Sequence, residues 1–268
     1  MPEYMTTHAS DSILNPRQSP FSWANDSEGK VFYEFLLEHP DRLKRFNTAM
    51  TTQEAALPVL GMFPFASLLE TGRSEERAFI VDVAGGRGQS LLQIKKELEA
   101  AGGDMKGRVI LQDRKAVLDA VPDEQLPGVE KMVIDFFQPQ PVKSKTSLLQ
   151  FSKLEDRTRI DVCADAQIYY LRRIMHNWQD RECRIILSNI AAAMAPDSRL
   201  LIGEMVVPET NASVDKTVYW MDLCMLIIGG KERSEKEFSS LVDSAGLKLV
   251  KIWRSKVGSQ TVIECRLK

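Results

Sequence analysis

Apolar positions first recur with a helical period and later gather into short runs separated by amphipathic stretches. From Gly29, the residues Val31, Phe32, Phe35 and Leu36 share one face that Leu43 and Phe46 continue, which predicts a helix. A second helical stretch, Thr51–Leu69, contains Pro58 and Pro64, which should end or kink it because proline offers no amide hydrogen. Beyond it the runs Ala78–Val83, Arg108–Gln112, Glu130–Ile134, Gln167–Leu171, Arg199–Val206, Lys248–Trp253 and Gln260–Leu267 predict strands. Helices are predicted between them at Gln89–Ala101, Arg181–Ala195, Asp215–Ile228 and Ser234–Ala245. The clearest is Arg181–Ala195, where Cys183, Ile186, Leu187, Ile190, Ala191 and Met194 form one apolar stripe. Asp180 is the expected N-cap there, and Gly246 the glycine that ends the last helix. Strands alternating with helices predict an α/β fold, a mostly parallel seven-stranded sheet with helices on both faces.

The first thirty residues are rich in Ser, Pro, Asn and Asp and predict an extended arm. The expected organisation is an N-terminal arm with helices over 1–70 and a main domain over 71–268. Residues 142–163, VKSKTSLLQFSKLEDRTRIDVC, fit neither pattern. Structureless stretches of roughly 20 residues are uncommon inside a domain. This one reads either as a lid over a site or as an insertion with no structure of its own.

Composition narrows the class. A chain of 268 residues, 44% hydrophobic and 27% charged, can bury one large core. A net charge of -2 leaves no basic footprint for nucleic acid, and no Lys/Arg block suggests a membrane surface. No apolar run approaches the roughly 20 residues of a membrane span. The start, MPEYMTTHAS, lacks a basic region followed by an apolar one, so secretion is not expected. Cys163, Cys183, Cys224 and Cys265 lie far apart and form no CxxC pair. They read as small buried hydrophobes in a reducing compartment, not as zinc ligands or disulfides. A cytoplasmic protein with no metal site is the expectation.

Candidate chemistry begins at VDVAGGRG (Val81–Gly88), a strand that runs into a glycine turn and a helix. Such a turn brings backbone close to a ligand and presents free N–H groups at the helix start. A nicotinamide dinucleotide wants GxGxxG, and Leu91 stands where the third glycine would be. S-adenosylmethionine needs a nearby acid for its ammonium, and Asp82 suits that; a purely structural turn also remains open. Asp113 ends the second strand, where a carboxylate can accept from both ribose hydroxyls. Asp135 with Phe136 follows the third strand and could meet an adenine amino group and ring face; Phe137 could equally enter the core. His176, one of three histidines, lies in the turn LRRIMHNWQD after a buried strand, where a general base or a helix-capping side chain would sit. Glu204 interrupts the apolar strand LLIGEMVV, a costly position unless the charge is paired. In GGKERSEKEF, a capping box explains Ser234 and Glu237 and leaves Glu232 for another role.

Taken together, FNTAM (Phe46–Met50), VDVAGGRG, the Asp113 strand end, PGVEKMVIDFF (Pro127–Phe137), LRRIMHNWQD, GEMVVPE (Gly203–Glu209) and GGKERSEKEF resemble the O-methyltransferases of plant and fungal secondary metabolism. The resemblance runs from about Trp23 to the C-terminus. It implies a Rossmann-like class I methyltransferase fold and S-adenosylmethionine as cofactor. Gly85, Gly86 and Gly88 would cradle the cofactor, Asp113 hold its ribose, and Asp135 with Phe136 its adenine. Arg172 falls where the family often has a basic residue near the adenine. His176 matches the general base, Glu204 and Glu232 the acids flanking it, and Met225 a methionine of the acceptor pocket. The implied reaction moves a methyl group to a hydroxyl, phenolic in character, of a small secondary metabolite.

The chain departs from the family pattern at several points. Ala84 replaces a first glycine, and Asn177 stands where many plant members have Asp, which bears on acceptor orientation. Family members carry an N-terminal winged-helix domain of roughly 100 residues that drives dimerisation; the chain starts after it, so a homodimer is not expected. Two other classes remain: a methyltransferase-like protein that binds the cofactor without methylating, as pericyclase or binding partner, and an NAD-dependent oxidoreductase. The incomplete glycine pattern and the lack of a Tyr-x-x-x-Lys pair disfavour the second.

Overall fold

The fold is built on β1 (Ala78–Val83), six residues buried on both faces. In the computed structural model, which describes residues 1–70, 77–105, 107–143, 165–210, 216–256 and 258–268, six further strands flank it. They are β2 (Arg108–Asp113), β3 (Val129–Val133), β4 (Ala166–Arg172), β5 (Arg199–Val207), β6 (Leu247–Arg254) and β7 (Gln260–Leu267). Their order is β3-β2-β1-β4-β5-β7-β6, and a two-residue strand, Arg233–Ser234, pairs with the end of β5. The pairs β1–β2, β1–β4, β2–β3 and β4–β5 are parallel, and β7 runs antiparallel to both neighbours. This is the mostly parallel sheet of a class I methyltransferase fold.

Side chains alternate across the sheet as strand geometry requires. Along β4, Tyr169 and Leu171 face one core, while Ile168 and Tyr170 face the other. The first core is closed by Cys183, Ile186, Leu187 and Ile190 of a helix at Asp180–Ala191 and by Phe238, Leu241 and Val242 of one at Glu235–Ser244. The second is closed by Leu91, Ile94 and Leu98 of the helix Gln89–Ala100, together with Phe63, Phe65 and Leu68. Each fully buried side chain of this kind contributes about 1.5–3 kcal/mol relative to exposure. A helix at Lys216–Ile227 is different: Trp220 (67% exposed) and Leu223 (51%) leave an apolar face open to solvent.

The helices are numbered in chain order: α1 (Pro2–Thr7), α2 (Pro20–Ala24), α3 (Phe32–Glu38), α4 (Pro40–Ala56), α5 (Gln89–Ala100), α6 (Lys115–Leu118), α7 (Asp180–Ala191), α8 (Lys216–Ile227) and α9 (Glu235–Ser244). Four local expectations need correction. The N-terminal arm is not simply extended: α1 and α2 form, and Tyr4 is buried and hydrogen-bonded to the Gln18 carbonyl. The helix expected to run from Gly29 is split between α3 and α4 at His39, because a residue before proline avoids the helical region. No second helix begins at Thr51, because α4 runs on to Ala56; it then stops ahead of Pro58, as the prolines predict, and a 3₁₀ turn covers Phe65–Glu70. Asp180 is the first residue of α7 rather than its cap; Gln179 occupies that place, and the Asp180 carboxylate is engaged by Arg233. Of 142–163, residues 144–163 lie outside the described residues; Val142 is buried, and its carbonyl accepts from the Tyr169 hydroxyl at 2.8 Å.

Candidate active site

Two constellations gather at the C-terminal ends of the parallel strands. The first is the turn after β1. Ala84 adopts φ 58°, Gly86 61° and Gly88 77°, so the chain reverses through left-handed backbone before α5 begins. A Cβ on Gly85 would lie 2.4 Å from the Asp82 carboxylate, so only glycine lets the turn fold down on that buried acid. At Gly86, nothing lies within 4 Å of where a side chain would start. The turn is therefore tight toward the sheet and open outward.

Asp113, at the end of β2, accepts from the Gly86 amide at 2.8 Å and the Arg114 amide at 2.7 Å. Burial raises its pKa, and those two amides oppose the shift. Asp135 is exposed after β3 and accepts from the Phe137 amide at 3.0 Å. Phe136 and Phe137 meet each other and Trp178 edge-on, with centroids 4.9–6.1 Å apart, so both pack against the first core. A reciprocal amide pair, Gln112 with Gln140 at 2.7 and 3.0 Å, ties the segment after β3 back to β2. Arg172 is elsewhere: β4 is the third strand over from β3, and the Arg172 guanidinium donates to the Leu57 carbonyl at 3.0 Å.

The second constellation surrounds His176, which is 4% exposed. Its Nδ1 lies 2.8 Å from Glu232 Oε1 and 3.6 Å from Glu204 Oε2. Glu204 Oε1 accepts from the Ile174 and Met175 amides at 2.9 and 2.7 Å and so fixes the turn that carries the histidine. The segment Gly229–Arg233 lies directly on that turn. A Cβ on Gly230 would fall 2.2 Å from the His176 carbonyl oxygen, and the Lys231 amide donates to that oxygen at 2.9 Å. Arg233, with no exposed surface, donates to the Met175 carbonyl at 2.8 Å, the Trp178 carbonyl at 2.7 Å and Asp180 at 2.8–2.9 Å. One guanidinium thus closes the turn on both sides of His176.

Burial holds the His176 pKa below its ordinary value against the upward pull of Glu204, with Arg173 and Arg233 lowering it further. Burial also raises Glu204, which His176 partly offsets. Burial and the neighbouring Asp222 push Glu232 up to about 8. At neutral pH the ring is therefore an uncharged imidazole. When Glu232 is ionised it accepts at Nδ1, which places the ring proton there and leaves the Nε2 lone pair as the basic site.

Asn177 is buried and turned inward, donating to the Arg173 carbonyl at 3.0 Å. Met225 is half-buried on α8, while Met221, one turn earlier, lines the small cavity beside His176 with Arg173, Met205 and Gln260. These four, with Arg233 and Tyr33, escaped the sequence reading. Tyr33 of α3 is enclosed between the two constellations: burial pushes its hydroxyl up to about 12, and it feels Arg173, Arg114, Asp113 and Glu204. It falls off the apolar face formed by Phe32, Phe35 and Leu36, so periodicity gives it no mark.

A profile of the O-methyltransferase domain matches residues 124–248, which include His176, Glu204 and Glu232. O-methyltransferase hmp5 of Hypomyces subiculosus is 40% identical over all of this chain and 62% of its own length. Methyltransferase pynC of Aspergillus niger is 35% identical, with 98% of this chain and 67% of pynC aligned. The chain belongs to the O-methyltransferase family. Among solved family-like structures, OxaC in complex with SAH and oxaline superposes with a TM-score of 0.78 at 32% identity, covering 94% of this chain and 58% of OxaC. A structure described as a pericyclic reaction enzyme superposes with a TM-score of 0.82 at 26% identity, covering all of this chain and 62% of that one. The chain thus spans about three fifths of the length of several O-methyltransferase family relatives.

Proposed function

We propose that the chain is the cofactor-binding and catalytic part of an S-adenosylmethionine-dependent O-methyltransferase that acts on a hydroxyl of a small secondary metabolite. The observation that carries this is the buried His176 ring, held at Nδ1 by Glu232 at 2.8 Å beside Glu204. The first constellation fits the cofactor: a turn open at Gly86, a buried acid at Asp82, and carboxylates at Asp113 and Asp135 for hydroxyl and amine donors. Phe136 offers a ring edge to an adenine, and residues 71–268 would form this unit behind the helices of 1–70.

The bound cofactor supplies an already activated methyl group. The remaining work is positioning and proton removal. His176 Nε2 would accept the proton of the acceptor hydroxyl while Glu232 stabilises the imidazolium formed. A well-placed base contributes about 10²–10⁴-fold, and orientation of the two reactants about 7–11 kcal/mol. Met221 and Gln260 line the cavity beside the ring and would bound an acceptor there, with Met225 and Asn177 as further acceptor contacts in this reading.

His176→Gln should bind S-adenosylmethionine with wild-type affinity by calorimetry and lose methylation of a phenol panel by about two orders of magnitude or more. Unchanged turnover would sink the base assignment. The likeness to a pericyclic reaction enzyme supports a second reading, cofactor binding without methyl transfer. Mass spectrometry separates the two: a product heavier by one methylene favours the first, and an isomer of unchanged mass the second.

A further inference from the structure

The cluster that serves as base has a second chemistry. His176, Glu204 and Glu232 each present a donor atom, and these atoms lie within 4.8 Å of one another. Nδ1 is 2.8 Å from one carboxylate and 3.6 Å from the other. Donors held about 2.1 Å from a tetrahedral ion are roughly 3.4 Å apart, so small side-chain rotations seat an ion among them. Glu204 Oε2 and Glu232 Oε2 are buried and have no hydrogen-bond partner. Buried carboxylate oxygens without donors are costly, and a cation relieves that cost. The thioether-bearing Met205 and Met221 line the same cavity, which suits a transition ion better than magnesium or calcium.

We propose that His176, Glu204 and Glu232 form a binding site for a divalent transition ion of the zinc class, and that occupancy silences the base. The ion takes the Nδ1 lone pair, and the proton formerly there passes to solvent. A neutral ring metallated at Nδ1 carries its proton on Nε2, taken up from solvent in turn, so the ring gains and loses none, and the proton that Glu232 holds passes to solvent as its carboxylate ligates. The lone pair that would accept from a hydroxyl is then gone. Arg173 borders the same cavity, and its charge makes the site weaker than a structural zinc centre. The inference rests on this donor set and does not require that the chain methylate anything.

The test uses the full chain stripped with a chelator. Zinc chloride is titrated by calorimetry and cobalt chloride by visible absorption. Long-range proton–nitrogen correlations report the ring tautomers, which are readable because the chain has three histidines. Expected are one ion per chain and a switch of the His176 ring from Nδ1–H to Nε2–H. Losing even an outer partner of a metal ligand costs roughly 10–100-fold in affinity, so E204Q and E232Q should each bind at least about tenfold more weakly. His8, 3.3 Å from Glu28 and away from the site, is the control, and H8Q should leave affinity unchanged. Affinity untouched by E204Q and E232Q, or a His176 tautomer unmoved at saturating zinc, would overturn the proposal. If either variant does not fold, the tautomer of the wild-type ring decides alone. Zinc binding as expected in a chain that methylates no phenol would count against the proposed function and leave the metal site standing.

Discussion

Glu232 and His176 pull stability in opposite directions with pH. The folded-state pKa of Glu232 is raised from 4.5 to about 8, so the folded chain holds a proton there that the unfolded chain releases. Its contribution is complete below pH 4.5 and is lost as pH rises toward 8. His176 is lowered from 6.5, so its contribution is present above 6.5 and lost as pH falls below it. Between pH 6.5 and 8 the His176 contribution is already in place, while that of Glu232 is still being lost. Glu232→Gln should therefore gain on wild type across that interval, by roughly 2–4 °C in Tm for each kcal/mol relieved. Melting curves at three pH values check this, and a constant difference would refute it. Which residues meet here was partly legible in the sequence. Glu204 stood out as a charge in an apolar strand, and Glu232 as the acid a capping box left over. Arg233 carried no such mark, because what it satisfies is backbone carbonyls, which look the same in every sequence. Asp180 reads as a helix cap because its partner, the Arg233 side chain, is 53 residues away and no local pattern shows it.

At the scale of elements, the turn between β1 and α5 contains its own test. Ala84 sits at φ 58°, a left-handed conformation that costs an L-residue roughly 1–2 kcal/mol. Ala84→Gly relieves that strain and loosens the unfolded chain, which costs about 0.4–1 kcal/mol. The net expectation is a small rise in Tm. Gly85→Ala should act the other way, because its methyl would meet the Asp82 carboxylate 2.4 Å away. Overpacking of this kind costs typically about 1–3 kcal/mol, and cofactor affinity should fall with it. Thermal melts and calorimetry on both variants check the pair; equal effects would show that the turn is more pliable than its contacts suggest. The helices that build the sheet's faces were legible from periodicity alone, as α7 shows. The break at His39–Pro40 was also written in the sequence, but the apolar face runs on across it and hid the interruption.

Across the whole molecule, both constellations lie where the strand order reverses. β1 leads outward to β2 and β3 on one side and to β4 and β5 on the other. In open α/β sheets, ligands bind at this switch point. A ligand there spans both halves of the sheet, so it should stabilise the chain as a unit. At 100 times its dissociation constant, S-adenosylmethionine would add about 2.7 kcal/mol, or roughly 5–10 °C in Tm. A melt with and without the cofactor checks this, and no shift would remove the assignment of the glycine turn.

The Arg233 guanidinium has a mechanical consequence. Between Glu204 and Glu232 the chain leaves the sheet to form α8, whose outer face is apolar and exposed. α8 is tied to the acid directly, because Asp222 on it accepts from the Glu232 amide at 2.8 Å. Arg233 rivets the returning chain to the carbonyls on both sides of His176. Whatever covers or tilts α8 therefore reaches the acid through Asp222, while Arg233 holds the histidine turn itself.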